Sequence, residues 1–221
     1  MGKLKLRIAM VAASVALLAL APTAHAAVTA ASGSAQSAGL VSQIAAQLGR
    51  ASGIRARFTQ TQTRAALKQP LVSSGSLLLA RGRGVIWHIE TPYQATYLIT
   101  DAGVSEVNAA GQRAGGASPH GTRGVAEVSR MMRAMLGGDL SALYSQFDVQ
   151  ATGTPAQWRM QLTPNQPQLA QAIKSLQMSG DSYLRTLRIT LANGDVTTLD
   201  FSDSTTVTGL TSAEQQLFGA P

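Results

Sequence analysis

The sequence has no cysteine, three histidines, and eleven Asp and Glu residues against eighteen Lys and Arg. Without cysteine there is no disulfide staple, no thiol nucleophile and no thiol to accept a lipid anchor. Stability must therefore come from apolar burial, and a domain approaching 200 residues buries roughly 70 % of its unfolded surface, so no staple is needed. The acids stand dispersed, which leaves no carboxylate pair for acid and base catalysis. Phosphate loops, dinucleotide fingerprints, nucleophile elbows and zincin helices are all missing. The only close acid and base pair is His88 and Glu90. On a strand they are alternate neighbours of a wet face, which reads as a solvent-facing pair. We expect no catalytic residue, no metal ligand set and no cofactor.

Aromatic residues make up 5 % of the chain, too few to interleave with its arginines as base-stacking platforms, so no nucleic-acid partner is expected. Long hydrophobic runs are also missing. The longest, Ile8 to Leu20, is 13 residues, short of the roughly 20 a spanning helix requires. It follows Lys3, Lys5 and Arg7 and precedes Pro22 and Ala24-His25-Ala26, the pattern of a signal peptide cleaved after residue 26. Three of the eighteen basic residues and none of the acids lie in that segment. Fifteen against eleven remain, a net charge of +4 on the exported chain. We expect a soluble exported protein with a cleaved signal peptide over 1–26, a flexible lead-in over 27–37 and one domain over 38–221.

What the sequence does have is apolar strands. Residues 74–81, 84–91 and 94–100 read as three short strands, each cut off by Gly or Pro. Leu77-Leu78-Leu79 implies cover on both faces, whereas Val85, Trp87 and Ile89 alternate with Ile86, His88 and Glu90. Ahead of them, Leu40, Val41, Ile44, Ala45 and Leu48 form one helical stripe, and Ile54, Ala56 and Phe58 alternate with Arg55, Arg57 and Thr59 as a strand. Val104 to Asn108 makes a further short strand. Residues 109–124, with five glycines, read as a mobile loop, followed by a Met-rich stripe of Val125, Val128, Met131, Met132, Met135 and Leu136. Strands return at 147–152 and 157–163, then a short helix from Pro167 to Lys174. A hairpin over 183–191 and 196–202 turns at Asn193-Gly194, the pair preferred by type I′ turns, and a last helical turn is expected over 212–218. This gives nine or ten antiparallel strands with one N-terminal helix and one or two more.

Phe58-Thr59-Gln60, Gly75-x-Leu77, Arg81, Trp87 with Pro92 five residues on, and Leu98-x-x-Asp101-x-Gly103 together resemble the LolA family of periplasmic outer-membrane lipoprotein carriers. Gln146-Phe147-Asp148-Val149 and the Asn-Gly hairpin followed by Thr197 to Phe201 are similar to that family's second half, so the resemblance covers residues 40 to 205. It implies an incomplete, half-open antiparallel β-barrel of about eleven strands, covered by an N-terminal helix and one or two lid helices. The implied activity is to take an acylated lipoprotein from an inner-membrane ABC transporter, shield its acyl chains and pass it to an outer-membrane lipoprotein receptor. A soluble periplasmic monomer fits the missing cysteine. Another lipid, or a lipid-linked pigment of the aryl polyene type, carried or sensed, is the alternative cargo. Arg81 matches by position the family's arginine, which hydrogen-bonds lid backbone in the closed state. Candidates for the hydrophobic cavity are Phe58, Leu77, Leu79, Trp87, Ile89, Tyr97, Ile99 and Trp158. Val128, Met131, Met132 and Met135 are candidates for a lid helix, with ordinary helix packing as the other reading.

The sequence departs from that pattern in two places. Gly82 follows the arginine where the family commonly has Pro, and Glu106-Val107-Asn108-Ala109-Ala110 stands where it has an aromatic strand.

Overall fold

In the structure, a computed structural model, the residues described are 25–100, 103–108, 111 and 143–219, with side chains described from residue 35 onward. The elements bounded within the described residues are α1 (His25–Leu48), β1 (Gly53–Thr63), β2 (Leu71–Ala80), β3 (Gly84–Thr91), β4 (Ala95–Thr100) and β5 (Gly103–Val107), then β6 (Phe147–Thr154), β7 (Gln157–Pro164), α2 (Pro167–Ala170), β8 (Ile173–Gly180), β9 (Leu184–Leu191), β10 (Val196–Thr206) and α3 (Ser212–Phe218). All ten strands belong to one antiparallel sheet in the order β5-β4-β3-β2-β1-β10-β9-β8-β7-β6. Two five-strand meanders thus meet where β1 pairs with β10, and the edges β5 and β6 do not close on each other. The expected half-open antiparallel architecture is present, with ten strands among the described residues rather than about eleven.

Period-2 alternation in the strands sends one row of side chains to each face. The concave row runs across the whole sheet: Ala56 and Phe58, Leu77 and Leu79, Val85 and Trp87, Ile99, then Leu199 and Phe201, Leu187 and Ile189, Met178, Trp158 and Met160, all in one continuous buried core. The convex row is polar except around Leu78, Ile86 and Leu98, which form a second, smaller cluster with Leu217 and Phe218 of α3. The Leu77-Leu78-Leu79 run is therefore covered on both faces, as its lack of alternation requires.

Four expectations need correction. The helix begins at His25, so much of the segment read as a flexible lead-in is helical. That stretch has no apolar stripe to reveal it, but it is rich in Ala, the best helix former. The helix expected from Pro167 to Lys174 is a single turn started by Pro167, and Ile173–Gly180 is a strand. A bulge between Ile173 and Ser175 breaks the alternation, so its buried residues fall at 173, 176 and 178 and mimic a helical spacing. The β2 strand starts at Leu71, three residues earlier than expected, because it extends to pair with the end of β1. The β9–β10 turn lies at Asn193-Gly194 but is not type I′, since of that pair only Gly194 has positive φ, 88°. The Gly194 N–H donates to Leu191 O at 3.1 Å and the Leu191 N–H to Asp195 O at 2.8 Å, which is a three-residue loop with a left-handed glycine. The expected loop over 109–124, apart from Gly111, the Met-rich stripe and nearly all of the signal segment lie outside the described residues.

Candidate functional site

The concave face holds the larger of the two apolar clusters among the described residues, and α1 packs on it. Val41, Ile44, Ala45 and Leu48 point into the sheet and are almost fully buried, at 0 to 4 % exposure. At two points the helix is held by polar contacts. The Ala151 N–H of the edge strand β6, which has no further strand to bond, donates to Ser37 Oγ at 2.7 Å. Gln47 Nε2 donates to Pro155 O at 3.1 Å and to Asp181 O at 2.7 Å. The Asp181 carbonyl also accepts from Trp158 Nε1 at 2.8 Å, so one carbonyl ties the helix to the most deeply buried aromatic of the core.

Glycine supplies room on this face at two positions. Gly75 stands opposite Phe58 in the β1–β2 pairing, and a Cβ there would lie 1.9 Å from His88 O. With no side chain between them, the Phe58 and Trp87 rings reach across β2 and meet with centroids 4.0 Å apart. In the other meander, Gly180 stands opposite Trp158, and a Cβ would come within 2.6 Å of the indole. Both Gly75-x-Leu77 and Trp158 thus owe their positions to a neighbouring strand that approaches too closely for any other residue.

Phe58, Leu77, Leu79, Trp87, Ile99 and Trp158 are placed in the buried concave layer, with Ile89 and Tyr97 partly buried against it. Burial pushes the Tyr97 phenol upward from its ordinary value, with smaller contributions from Tyr93 and Glu106. One open space in this layer is small, about 30 Å³, or room for a water or two. It is lined by Leu77, Leu79, Ile54, Met178, Leu184 and Phe201 among others, and by Leu48 of α1. Of the predicted lining residues only Leu77 and Leu79 border it. The contributions of β8, β9 and β10 were missed because single-strand alternation does not say which strands meet across a sheet.

Arg81 stands outside the concave layer, exposed in the turn between β2 and β3, with its N–H donating to Ser52 O at 2.9 Å. The lid candidates Val128, Met131, Met132 and Met135 lie outside the described residues, so no contact of Arg81 with them is described. His88 and Glu90 occupy the convex face. His88 Nδ1 lies 2.8 Å from Thr96 Oγ1. The hydrogen bond from Arg57, at 2.7 Å, holds the Glu90 carboxyl below its usual range. Among the described residues no group of three or more His, Cys, Asp or Glu is placed to hold a metal ion, and no helix is long and apolar enough to cross a membrane.

No curated protein matches the chain by sequence. Among solved structures, a LolA superfamily protein from Nitrosomonas europaea is 8 % identical, with a TM-score of 0.41, over 79 % of this chain and 94 % of its own. A putative outer membrane lipoprotein-sorting protein domain from Vibrio parahaemolyticus is 10 % identical with a TM-score of 0.39, over 84 % of this chain and 99 % of its own. The Pseudomonas aeruginosa MucA/MucB complex contains a chain 13 % identical, TM-score 0.45, over 82 % of this chain and 60 % of that one. The sequence itself matches the family described as outer membrane lipoprotein carrier protein LolA-like over residues 17–216, and the chain belongs to that family.

Proposed function

We propose that the protein is a periplasmic carrier that shields the acyl chains of lipoproteins against its concave face and moves them from the inner to the outer membrane. The observation that supports this most is a continuous apolar layer roofed by a helix whose buried contacts are themselves apolar. An acyl chain cannot enter the space of about 30 Å³ beneath Leu48, so loading there requires α1 to give way. Two energies oppose each other in that exchange. Each acyl CH₂ withdrawn from water gains roughly 0.8 kcal/mol, so chains of ordinary length gain on the order of ten kcal/mol. Uncovering Val41, Ile44 and Leu48 costs about 1.5–3 kcal/mol apiece, a total of similar order. Net affinity is the difference between them, lower than the acyl gain alone, which suits a carrier that must release its cargo without ATP.

In this reading an inner-membrane ABC transporter is the donor and an outer-membrane lipoprotein receptor the acceptor. The protein acts as a soluble monomer without catalytic activity after loss of the signal peptide over 1–26. The Met131 stripe completes the lid, and a free lipid or pigment is the alternative cargo. Mass spectrometry of hydrophobic material extracted from protein purified from its own periplasm tests the proposal. Co-purifying lipoprotein supports it, and free lipid or pigment redirects it to the alternative. Clean protein that also fails to take up a fluorescent fatty-acyl probe refutes it.

A further inference from the structure

Among the described residues five large apolar side chains are exposed, at 38 to 58 %: Leu67, Leu71, Val72, Tyr93 and Tyr144. All five stand at one end of the sheet. Leu67 lies in the β1–β2 connection, Leu71 and Val72 open β2, Tyr93 sits in the β3–β4 turn, and Tyr144 precedes β6. Antiparallel pairing brings the end of β1, the start of β2, the end of β3 and, through β10, β9, β8 and β7, the start of β6 to the same side. The opposite end, where Arg81 and Arg83 border a cavity of about 240 Å³, carries none of them.

The β1–β2 hairpin leads this end, because Leu71 and Val72 lie beyond Ser74, the last residue of β2 that pairs with β3. Alternation along β2 continues to its start. Leu71 therefore shares the concave row of Leu77 and Leu79, whereas Val72 shares the convex row of Leu78. A hairpin that is apolar on both faces offers a folded partner no single surface to cover, but it suits an apolar medium that closes around it. Charge at the tip is basic. Arg64 and Lys68 are exposed on either side of Leu67, and Asp195 of the β9–β10 turn accepts the Ala65 N–H at 3.0 Å. Farther along the same end Lys174 and Asp148 offset each other, and Glu106 pairs with Tyr97 at the β5 edge. Basic stems can lie along apolar surface while their charges reach lipid phosphates, and an exposed tyrosine such as Tyr93 has the amphipathic ring favoured at a membrane boundary.

We propose that this end of the sheet, led by the Leu67–Val72 hairpin, docks on the surface of an anionic lipid bilayer. Leu67, Leu71 and Val72 enter the acyl boundary, Tyr93 stays at the headgroup level, and Arg64 and Lys68 meet the lipid phosphates. Few apolar side chains take part, so the contact is reversible and the protein returns to solution. Because Leu71 belongs to the concave row, docking turns that end of the concave layer toward the membrane. The docking rests on the exposed tip and its charges, whereas its use in handing over an acyl chain rests on the carrier reading.

The test is co-sedimentation with phosphatidylcholine vesicles that contain or lack phosphatidylglycerol. The protein is expected to prefer the anionic vesicles. Leu67→Asn combined with Leu71→Asn, both at exposed positions, should lower the affinity by about tenfold or more. Lys68→Gln should weaken it about fivefold, the worth of one basic residue near an anionic surface. Arg83→Gln, at the opposite end, should change nothing, and a loss equal to that of Lys68→Gln would mean attraction by net charge alone and overturn the hairpin. Because the sequence has no cysteine, Leu67→Cys labelled with an environment-sensitive dye reports on the tip alone. Its emission should shift to the blue on anionic vesicles, whereas the same dye at Arg83→Cys should not respond. An equal response at both sites, or none at either, overturns the docking. Uptake of a fluorescent fatty-acyl probe in vesicle-free solution decides the carrier separately. Uptake without a blue shift keeps the carrier and removes the docking, and a blue shift without uptake keeps the docking and removes the carrier.

Discussion

The two helices that cover the sheet do so in opposite ways. On the concave side α1 buries Val41, Ile44 and Leu48 completely and makes few directional bonds, through Ser37 and Gln47. On the convex side α3 buries no residue fully; a capping box between Thr211 and Glu214 closes its first turn, and the Arg55–Glu214 ion pair at 2.8 Å ties it to β1. Apolar contact is non-directional, so one hydrocarbon surface can replace another with little loss. Hydrogen bonds and ion pairs need their own partners. A cover held mainly by contact can be exchanged for a lipid chain, and a cover held by caps and charges stays where it is. In the proposed reading the same strands thus carry a replaceable roof and a fixed brace.

The largest effect is expected in the layer both meanders share. Trp158→Ala should cost about 3–5 kcal/mol in denaturant unfolding, because it empties the space over Gly180 and removes the bond to Asp181 O. Ile44→Ala comes next, at about 2–4 kcal/mol, and because it weakens the roof it should also raise uptake of a hydrophobic probe. Leu217→Ala, at a half-buried position of the brace, should cost about 1 kcal/mol or less and leave probe uptake unchanged. Equal probe uptake by the Ile44 and Leu217 variants would break the contrast between the helices. Thr211→Ala should remove about 1 kcal/mol through loss of the N-cap, again without effect on the probe.

The smallest effect is one of pH. Burial alone would raise the Glu214 carboxyl, but the Arg55 and Thr211 hydrogen bonds outweigh it and hold the group below its ordinary value of 4.5. A depressed folded-state value means the unfolded chain binds the proton more tightly. The stabilisation is therefore present above pH 4.5 and is lost as the pH falls through the depressed value. Acid titration followed by amide exchange should loosen α3 before α1, and Glu214→Gln should abolish that order. Because Arg55 is largely exposed, the loss should remain below about 1 kcal/mol.

Much of this was legible in the residues. Strands with clean alternation, such as Val85-Trp87-Ile89, announced themselves, and the Phe58 to Gly103 spacing led to the family. Leu77-Leu78-Leu79 correctly required two covered faces, although nothing local said that α3 supplies one of them. Where local pattern failed, a specific feature was responsible. A bulge hid β8 behind a helix-like spacing, an Ala-rich stretch without a stripe hid the start of α1, and Asn193-Gly194 marked the turn but not its type. The cavity beside Arg81 and Arg83 was illegible because its walls come from residues 52–53, 80, 81, 83, 207–210 and 215. Arg83 in isolation is an ordinary turn residue.

By itself the sequence determined the alternation that makes the strands two-faced, the absence of cysteine, and the glycines at 75 and 180 that let strands approach. These follow from local sterics and side-chain chemistry. Only the tertiary structure decided that β1 pairs with β10, which joins two meanders into one concave layer and sets Phe201 and Met178 opposite Leu77. It also decided that the segment after β10 folds back beside Arg81 and Arg83. Pairings between distant strands depend on how the whole apolar surface is best buried, and no single stretch of chain contains that information.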